Sequence, residues 1–285
     1  MQSQHIDTKF IDVDKVIAGK NPRLLKVLPR FVINYLKRIL HQDRMNEMIS
    51  RFFDKQGLDF IEAVLTEFNV KLRTIGIENV DPVKNYVVIS NHPLGGLDGM
   101  ALMLTLGKIN PQIAMTANDF LMHVQNLKSL FLPINKHGSN AENIAVINEC
   151  FASEKVIIFF PAGLCSRKIG NQIIDLEWKK TFLSHARKFN REILPVHISG
   201  RNSSFFYNLA NLRKRLRMKS NIEMLYLVDE MFKQNNKDIV ITFGKPISVN
   251  VFDKNIRDKE WAAQLKNYVY QLGENPKAEF IKTIV

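Results

Sequence analysis

Short β-rich runs, set apart by helical stretches, constrain this chain more than any other feature. Asn85–Ser90, Val156–Phe160, Ile193–Ile198 and Ile239–Phe243 have strand length and are mostly apolar. Gly99–Gly107, Asn140–Ala152 and Glu177–Phe189 read as helices between them. Strands alternating with helices predict an α/β sheet with helices packed on it. A chain of 285 residues buries a substantial core without staples. Its two cysteines, Cys150 and Cys165, make neither a disulfide framework nor a four-ligand zinc site, so the chain reads as reduced and intracellular. There is no internal repeat and no Gly/Ser- or Pro-rich linker. The expected organisation is an α/β domain over 71–285 with amphipathic helices over 1–70 added in front.

Charge narrows the partners. Forty Lys+Arg against 28 Asp+Glu give +12, which suits nucleic acid, an anionic membrane surface or acidic ligands, with a generally basic surface as the plain alternative. No uncharged apolar run is long enough to span a bilayer, and the acids in MQSQHIDTKFIDVDK do not suit a signal peptide. The N-terminal region nevertheless has an interfacial pattern. No acid occurs from Lys20 to Gln42, and on a helical projection Leu24, Leu28, Phe31, Val32, Tyr35 and Ile39 share a face opposite Arg23, Lys26, Arg30 and Lys37. Pro29 should kink or restart this helix. Arg23, Lys26, Arg30, Phe31, Tyr35 and Lys37 are thus candidate membrane contacts; the alternative is that the apolar face packs on the protein's own core. Residues 43–70 read as further amphipathic helix carrying Phe52, Phe53, Phe60, Ile61, Val64 and Leu65.

Chemistry concentrates where the first strong strand ends, in Ser90-Asn91-His92-Pro93-Leu94-Gly95-Gly96-Leu97-Asp98-Gly99. Strand-end loops are where α/β proteins hold reactive groups. A histidine beside a carboxylate makes a general base, because the carboxylate fixes the imidazole tautomer and stabilises the imidazolium. Asp98 is also placed to cap the following helix. Alone, the pair would more often be structural.

Further motifs follow in order. Phe160-Pro161-Ala162-Gly163-Leu164-Cys165-Ser166-Arg167-Lys168 ends another apolar strand, Trp178-Lys179-Lys180-Thr181 opens a helix, and Leu194-Pro195-Val196 lies within a strand. Over roughly 72–246 the set resembles the glycerolipid acyltransferases, typified by the lysophosphatidic acid acyltransferases. Asn91, His92 and Asp98 are similar to the N-H-x4-D block, 160–166 to F-P-E-G-T-R-S, 178–181 to the F-K-x-G helix start, and Phe131-Leu132-Pro133-Ile134-Asn135-Lys136 weakly to an F-I-x-R segment. The resemblance implies a mixed sheet flanked by helices and transfer of a fatty acyl group from a thioester, on acyl carrier protein or coenzyme A, to a lysolipid hydroxyl. It implies His92 as base and Asp98 as its partner. Asn91, Gly95, Gly96, Asn135, Lys136, Pro161, Gly163, Ser166, Arg167 and Lys168 are implied in substrate binding. No cofactor or metal is expected, and the enzyme would work peripherally on the cytoplasmic side of a membrane.

The departures bear on the acceptor. Five residues separate His92 from Asp98 instead of four; the family's glutamate, threonine and arginine are Ala162, Leu164 and Cys165; the second block offers Asn135 and Lys136 without an arginine. Arg167 and Lys168 are placed to restore charge. Two acceptors compete, lysophosphatidic acid and the hydroxyl of an N-acyl amino-acid lipid. No Gly-x-Ser-x-Gly elbow is present, so direct attack is expected, with the amides of Gly95, Gly96 and Gly163 as oxyanion donors.

Other readings stay open here. Arg213-Lys214-Arg215-Leu216-Arg217-Met218-Lys219 follows Phe205-Phe206-Tyr207 and suits a solvated face, a membrane, a donor carrier or single-stranded nucleic acid; only charge and this segment support the last, and the motifs weigh against it. An idle relative that keeps the fold for lipid binding is a third class, which retention of His92 and Asp98 disfavours. Cys165 suits a pocket wall better than a nucleophile. His197 reads as a core histidine, Trp178 and Trp261 as core or interfacial anchors, and His123, His137 and His185 show no metal-ligand spacing.

Overall fold

The computed structural model describes residues 10–117, 124–133 and 140–283. Five helices come first: α1 (Val13–Lys20), α2 (Pro22–Val27), α3 (Arg30–Ile39), α4 (Gln42–Arg51) and α5 (Gly57–Glu67). The sheet then forms through β1 (Lys71–Ile75), β2 (Val87–Ser90), α6 (Leu97–Gly107), β3 (Ile113–Ala117), β4 (Phe131–Pro133), α7 (Asn140–Ala152) and β5 (Val156–Phe159). Next come the ribbon strands β6 (Arg167–Ile169) and β7 (Gln172–Ile174), then α8 (Thr181–Lys188), β8 (Ile193–Ile198), α9 (Ser204–Arg215), α10 (Leu227–Phe232), β9 (Asp238–Phe243) and α11 (Asp258–Glu274).

Seven strands lie in the order β1-β9-β8-β2-β5-β3-β4, all pairs parallel except β8–β9, so the expected mixed sheet is present. Its centre is covered on both sides. Val88, Ile158, Leu194 and Val196 point to α5 and α6, where Phe60, Ile61, Leu97 and Leu102 meet them. Val87, Ile89, Ile157 and Phe159 point the other way, to Phe182 and Leu183 of α8 and Trp261 and Leu265 of α11. Successive strand residues therefore serve opposite layers. Each such side chain stabilises the fold by about 1.5–3 kcal/mol when fully buried. The chain runs from β2 across β5's position to β3 and later returns to β8 on β2's other side. The carboxyl end of β2 is thus a switch point of the kind where open sheets hold ligands.

Two expectations for the N-terminal region are corrected. Pro29 does restart the helix, but this breaks the single projection assumed for residues 24–39, and α3 buries Ile33 with Ile39 while Phe31 stays 74% exposed and Val27 77%. Lys37 pairs with Asp14 of α1 instead of facing outward freely. On the N-terminal side of residue 70, α5 packs into the central core through Phe60, Ile61, Val64 and Leu65.

Gly76, just past β1, has φ +73°, and a Cβ there would sit 2.3 Å from the carbonyl oxygen of Phe243 at the end of β9. Gly76→Ala should therefore lower stability by about 1–3 kcal/mol, since both the left-handed backbone and the β1–β9 edge would be strained. Thermal or denaturant unfolding reads this; an unchanged midpoint would contradict the close approach.

Candidate active site

At the end of β2, His92 Nδ1 lies 3.0 Å from Asp98 Oδ2. The extra residue of the loop is absorbed by Gly95 at φ +79°, where a Cβ would stand 2.7 Å from a methyl of Leu227. Asp98 lies inside the first turn of α6 and is not its N-cap, which is Gly96. Its carboxylate turns back over the loop: Oδ2 also accepts from the amides of Leu94 (2.8 Å) and Gly95 (3.2 Å), and Oδ1 from Gly99 (2.9 Å). Burial would raise the Asp98 pKa, but His92 and the amides of Leu94 and Gly99 hold it below the usual carboxylate range. Burial likewise opposes charge on His92, yet Asp98 outweighs it, Asp175 adds to the effect, and the imidazole is raised above its ordinary value. With Nδ1–H donated to Asp98, Nε2 is the basic nitrogen. The side chain is 16% exposed, so a hydroxyl has access to it.

The third block packs directly on this pair. Phe160 stacks on the His92 ring, centroids 4.2 Å apart, and the Ser166 amide donates to the His92 carbonyl at 2.8 Å. Asp175, which the sequence reading missed, ties the two loops together. Its Oδ1 accepts from the His92 amide (3.2 Å) and the Ser166 hydroxyl (2.6 Å), and its Oδ2 from Trp178 Nε1 (2.9 Å). Only the Asp-x-x-Trp spacing after β7 could have pointed to it.

Several residues assigned to substrate are otherwise engaged. Asn91 is buried, its amide bonded both ways to the backbone of Ile198 in β8, at 2.7 and 2.9 Å. Ser166 is held by Asp175. Arg167 is buried against Glu223 (2.9 Å) and the Cys165 carbonyl (2.6 Å), so it does not restore the lost surface charge; Lys168 remains exposed. Pro161 is buried, and its carbonyl accepts from the Lys179 amide at 3.0 Å. The Gly95 amide is taken by Asp98 and that of Gly163 by the Phe160 carbonyl, while the Gly96 amide donates to no group among the described residues. Burial pushes the Cys165 thiol up to about 11, which fits a wall and not a nucleophile. Asn135 and Lys136 lie outside the described residues.

A sequence profile of a family described as acyltransferase matches residues 15–275. The chain is 47% identical to a lyso-glycine lipid O-acyltransferase of Bacteroides thetaiotaomicron, over 92% of this chain and 97% of that protein. It is 46% identical to the protein of the same name from Phocaeicola vulgatus, over 92% and 95%. The crystal structure of the 1-acyl-sn-glycerophosphate (LPA) acyltransferase of Thermotoga maritima aligns with a TM-score of 0.45 at 18% identity, over 87% of this chain and 97% of that one.

His92→Ala should lower turnover by roughly 10²–10⁴ without altering the circular dichroism spectrum. If the neutral imidazole is the base, kcat/KM should fall as pH drops through a pKa above the ordinary imidazole value. Asp98→Asn removes the carboxylate that raises that pKa, so the acidic limb should move to lower pH as the rate falls. A limb that stays in place in the kcat/KM–pH profile would remove Asp98 from this role.

Proposed function

We propose that this chain, which belongs to the acyltransferase family, moves a fatty acyl group from a thioester to the hydroxyl of an N-acyl amino-acid lipid of the lyso-glycine lipid type, at a membrane surface. Acyl transfer to a lysolipid hydroxyl is its activity. The acceptor, the donor and the mechanism are the finer reading.

His92 Nε2 takes the acceptor proton as the oxygen attacks the thioester carbonyl. Asp98 keeps the ring in its tautomer and stabilises the imidazolium. The carbonyl oxygen gains negative charge, for which the Gly96 amide, with no acceptor among the described residues, is the proposed donor. When the C–S bond breaks, His92 returns the proton to the departing thiolate. An ester and a free thiol result, with no acyl-enzyme. Either donor, acyl carrier protein or coenzyme A, suits the +12 surface. Arg23, Lys26 and Arg30 surround the exposed Leu24, Val27 and Phe31, an arrangement that suits peripheral docking at the cytoplasmic side of the membrane. No helix among the described residues is long and apolar enough to cross a membrane.

One observation carries the choice of acceptor: Arg167, the arginine that follows the third block, is internally paired with Glu223, which leaves Lys168 as the exposed cation there. A phosphomonoester asks for several charge-assisted donors. A block holding Ala162, Leu164 and Cys165, with its arginine turned inward, supplies few, which suits a singly charged amino-acid carboxylate better. The two relatives named for a lyso-glycine lipid agree with this reading.

The test offers radiolabelled acyl carrier protein and coenzyme A thioesters with lyso-glycine lipid and lysophosphatidic acid in parallel. The glycine lipid should be favoured on the order of tenfold or more in kcat/KM. Faster labelling of lysophosphatidic acid would overturn the acceptor, and labelling of neither would overturn the reading.

A further inference from the structure

We propose that α9 is a second membrane-inserting element, which lays Phe205, Leu209, Leu212 and Leu216 into an anionic bilayer beside the catalytic loop. This rests on the membrane-surface reading above and extends it to a part of the chain distant in sequence from the N-terminal helices.

Unlike an ordinary surface helix, α9 carries apolar residues on two faces. Phe206, Tyr207 and Ala210 point inward, and the first two pack with Cys165. On the other side Phe205 is 49% exposed, Leu212 51% and Leu216 61%, with Leu209 half-buried between them. These positions recur at 205, 209, 212 and 216, one continuous stripe on a helix of 3.6 residues per turn. A surface helix normally turns such a stripe to the core.

Charge complementarity identifies what covers the stripe. No acidic residue occurs between Glu192 and Glu223, while Lys214, Arg215, Arg217 and Lys219 are exposed around its carboxyl end. Large apolar groups rimmed by cations suit insertion at an anionic lipid surface. Single-stranded nucleic acid fits less well, because successive bases need several aromatic platforms and, of the three aromatics here, Phe206 and Tyr207 are buried and only Phe205 is exposed. The stripe is also continuous with the N-terminal helices. Phe205 meets the Tyr226 ring edge-on at 4.9 Å, and the Tyr226 hydroxyl lies 2.5 Å from that of Tyr35 in α3, whose Phe31 is exposed. Underneath, Cys165 Cβ is 3.5 Å from where a Cβ on Gly95 would stand. A bilayer held by α9 is therefore brought close to the loop between His92 and Asp98, where a lipid hydroxyl must arrive.

The full chain is sedimented with phosphatidylcholine vesicles, with and without phosphatidylglycerol, in parallel with Leu212→Asp/Leu216→Asp and an Arg23→Glu/Lys26→Glu/Arg30→Glu variant. Both α9 positions face solvent, so an unchanged melting curve should accompany a roughly tenfold or greater loss of partitioning onto anionic vesicles. The indole introduced by Leu216→Trp should be quenched by brominated lipid. If the wild type binds and the α9 variant binds equally, or the introduced indole is not quenched, α9 is not an insertion element while membrane docking stands. Equal binding to neutral vesicles, or an α9 effect confined to an oligonucleotide or an acidic protein, also overturns the proposal. A wild type that binds neither vesicle overturns it together with the membrane reading.

Discussion

A carboxylate removed from water must be surrounded by donors, and around Asp98 those donors come from the loop after β2 and the first turn of α6. Its two oxygens accept from His92 Nδ1 and from the amides of Leu94, Gly95 and Gly99. An unsatisfied buried carboxylate costs several kcal/mol, so the loop has one arrangement that is tolerable and many that are not. The tautomer of the base, the turn at Gly95 and the first turn of α6 thus come from one electrostatic requirement. Asp175 repeats the device on the other side of His92. Rigid loops orient the His92 imidazole in advance, which is what the general-base role proposed for it needs.

The second buried ionic centre works differently. Glu223 is fully buried between Arg167 and Arg213, each 2.9 Å away. It fastens the segment after α9 to the third block, and it takes from the substrate side the guanidinium that the sequence places at the end of that block. A buried ion pair of this kind is weak evidence for stability, since desolvation opposes it, but removing one partner leaves an uncompensated charge at a loss of about 3–5 kcal/mol. Positive charge lost from a block by substitution is therefore not regained from a neighbouring arginine by proximity in sequence.

How far these features were legible depends on the range over which each is decided. The central strands are buried on both faces and so are written as uninterrupted apolar runs, which is why β2, β5, β8 and β9 were readable. The His92–Asp98 pair was readable through its motif in spite of the longer spacing, because two glycines allow the loop to bulge. Asp175 was not: its partners stand at 92, 166 and 178 and meet only after the sheet is assembled. Arg167 is turned inward by a glutamate 56 residues away. The face of α3 was misjudged because Pro29 uncouples it from α2, and its rotation is then set by what Ile33 and Ile39 can bury against.

The pairing of β1 with β9 has a consequence for the order in which the molecule comes into being. Residues 71–75 lie in register with 238–242, the strand pairing most distant in sequence among the described residues. On a ribosome adding ~5–20 residues per second, β1 waits on the order of ten seconds for its partner. Throughout that interval the segment of α1 to α4, which carries Leu24, Val27 and Phe31 with Arg23, Lys26 and Arg30, is already synthesised. On the membrane-docking reading proposed above, these helices would meet a lipid surface before β9 arrives to complete the sheet.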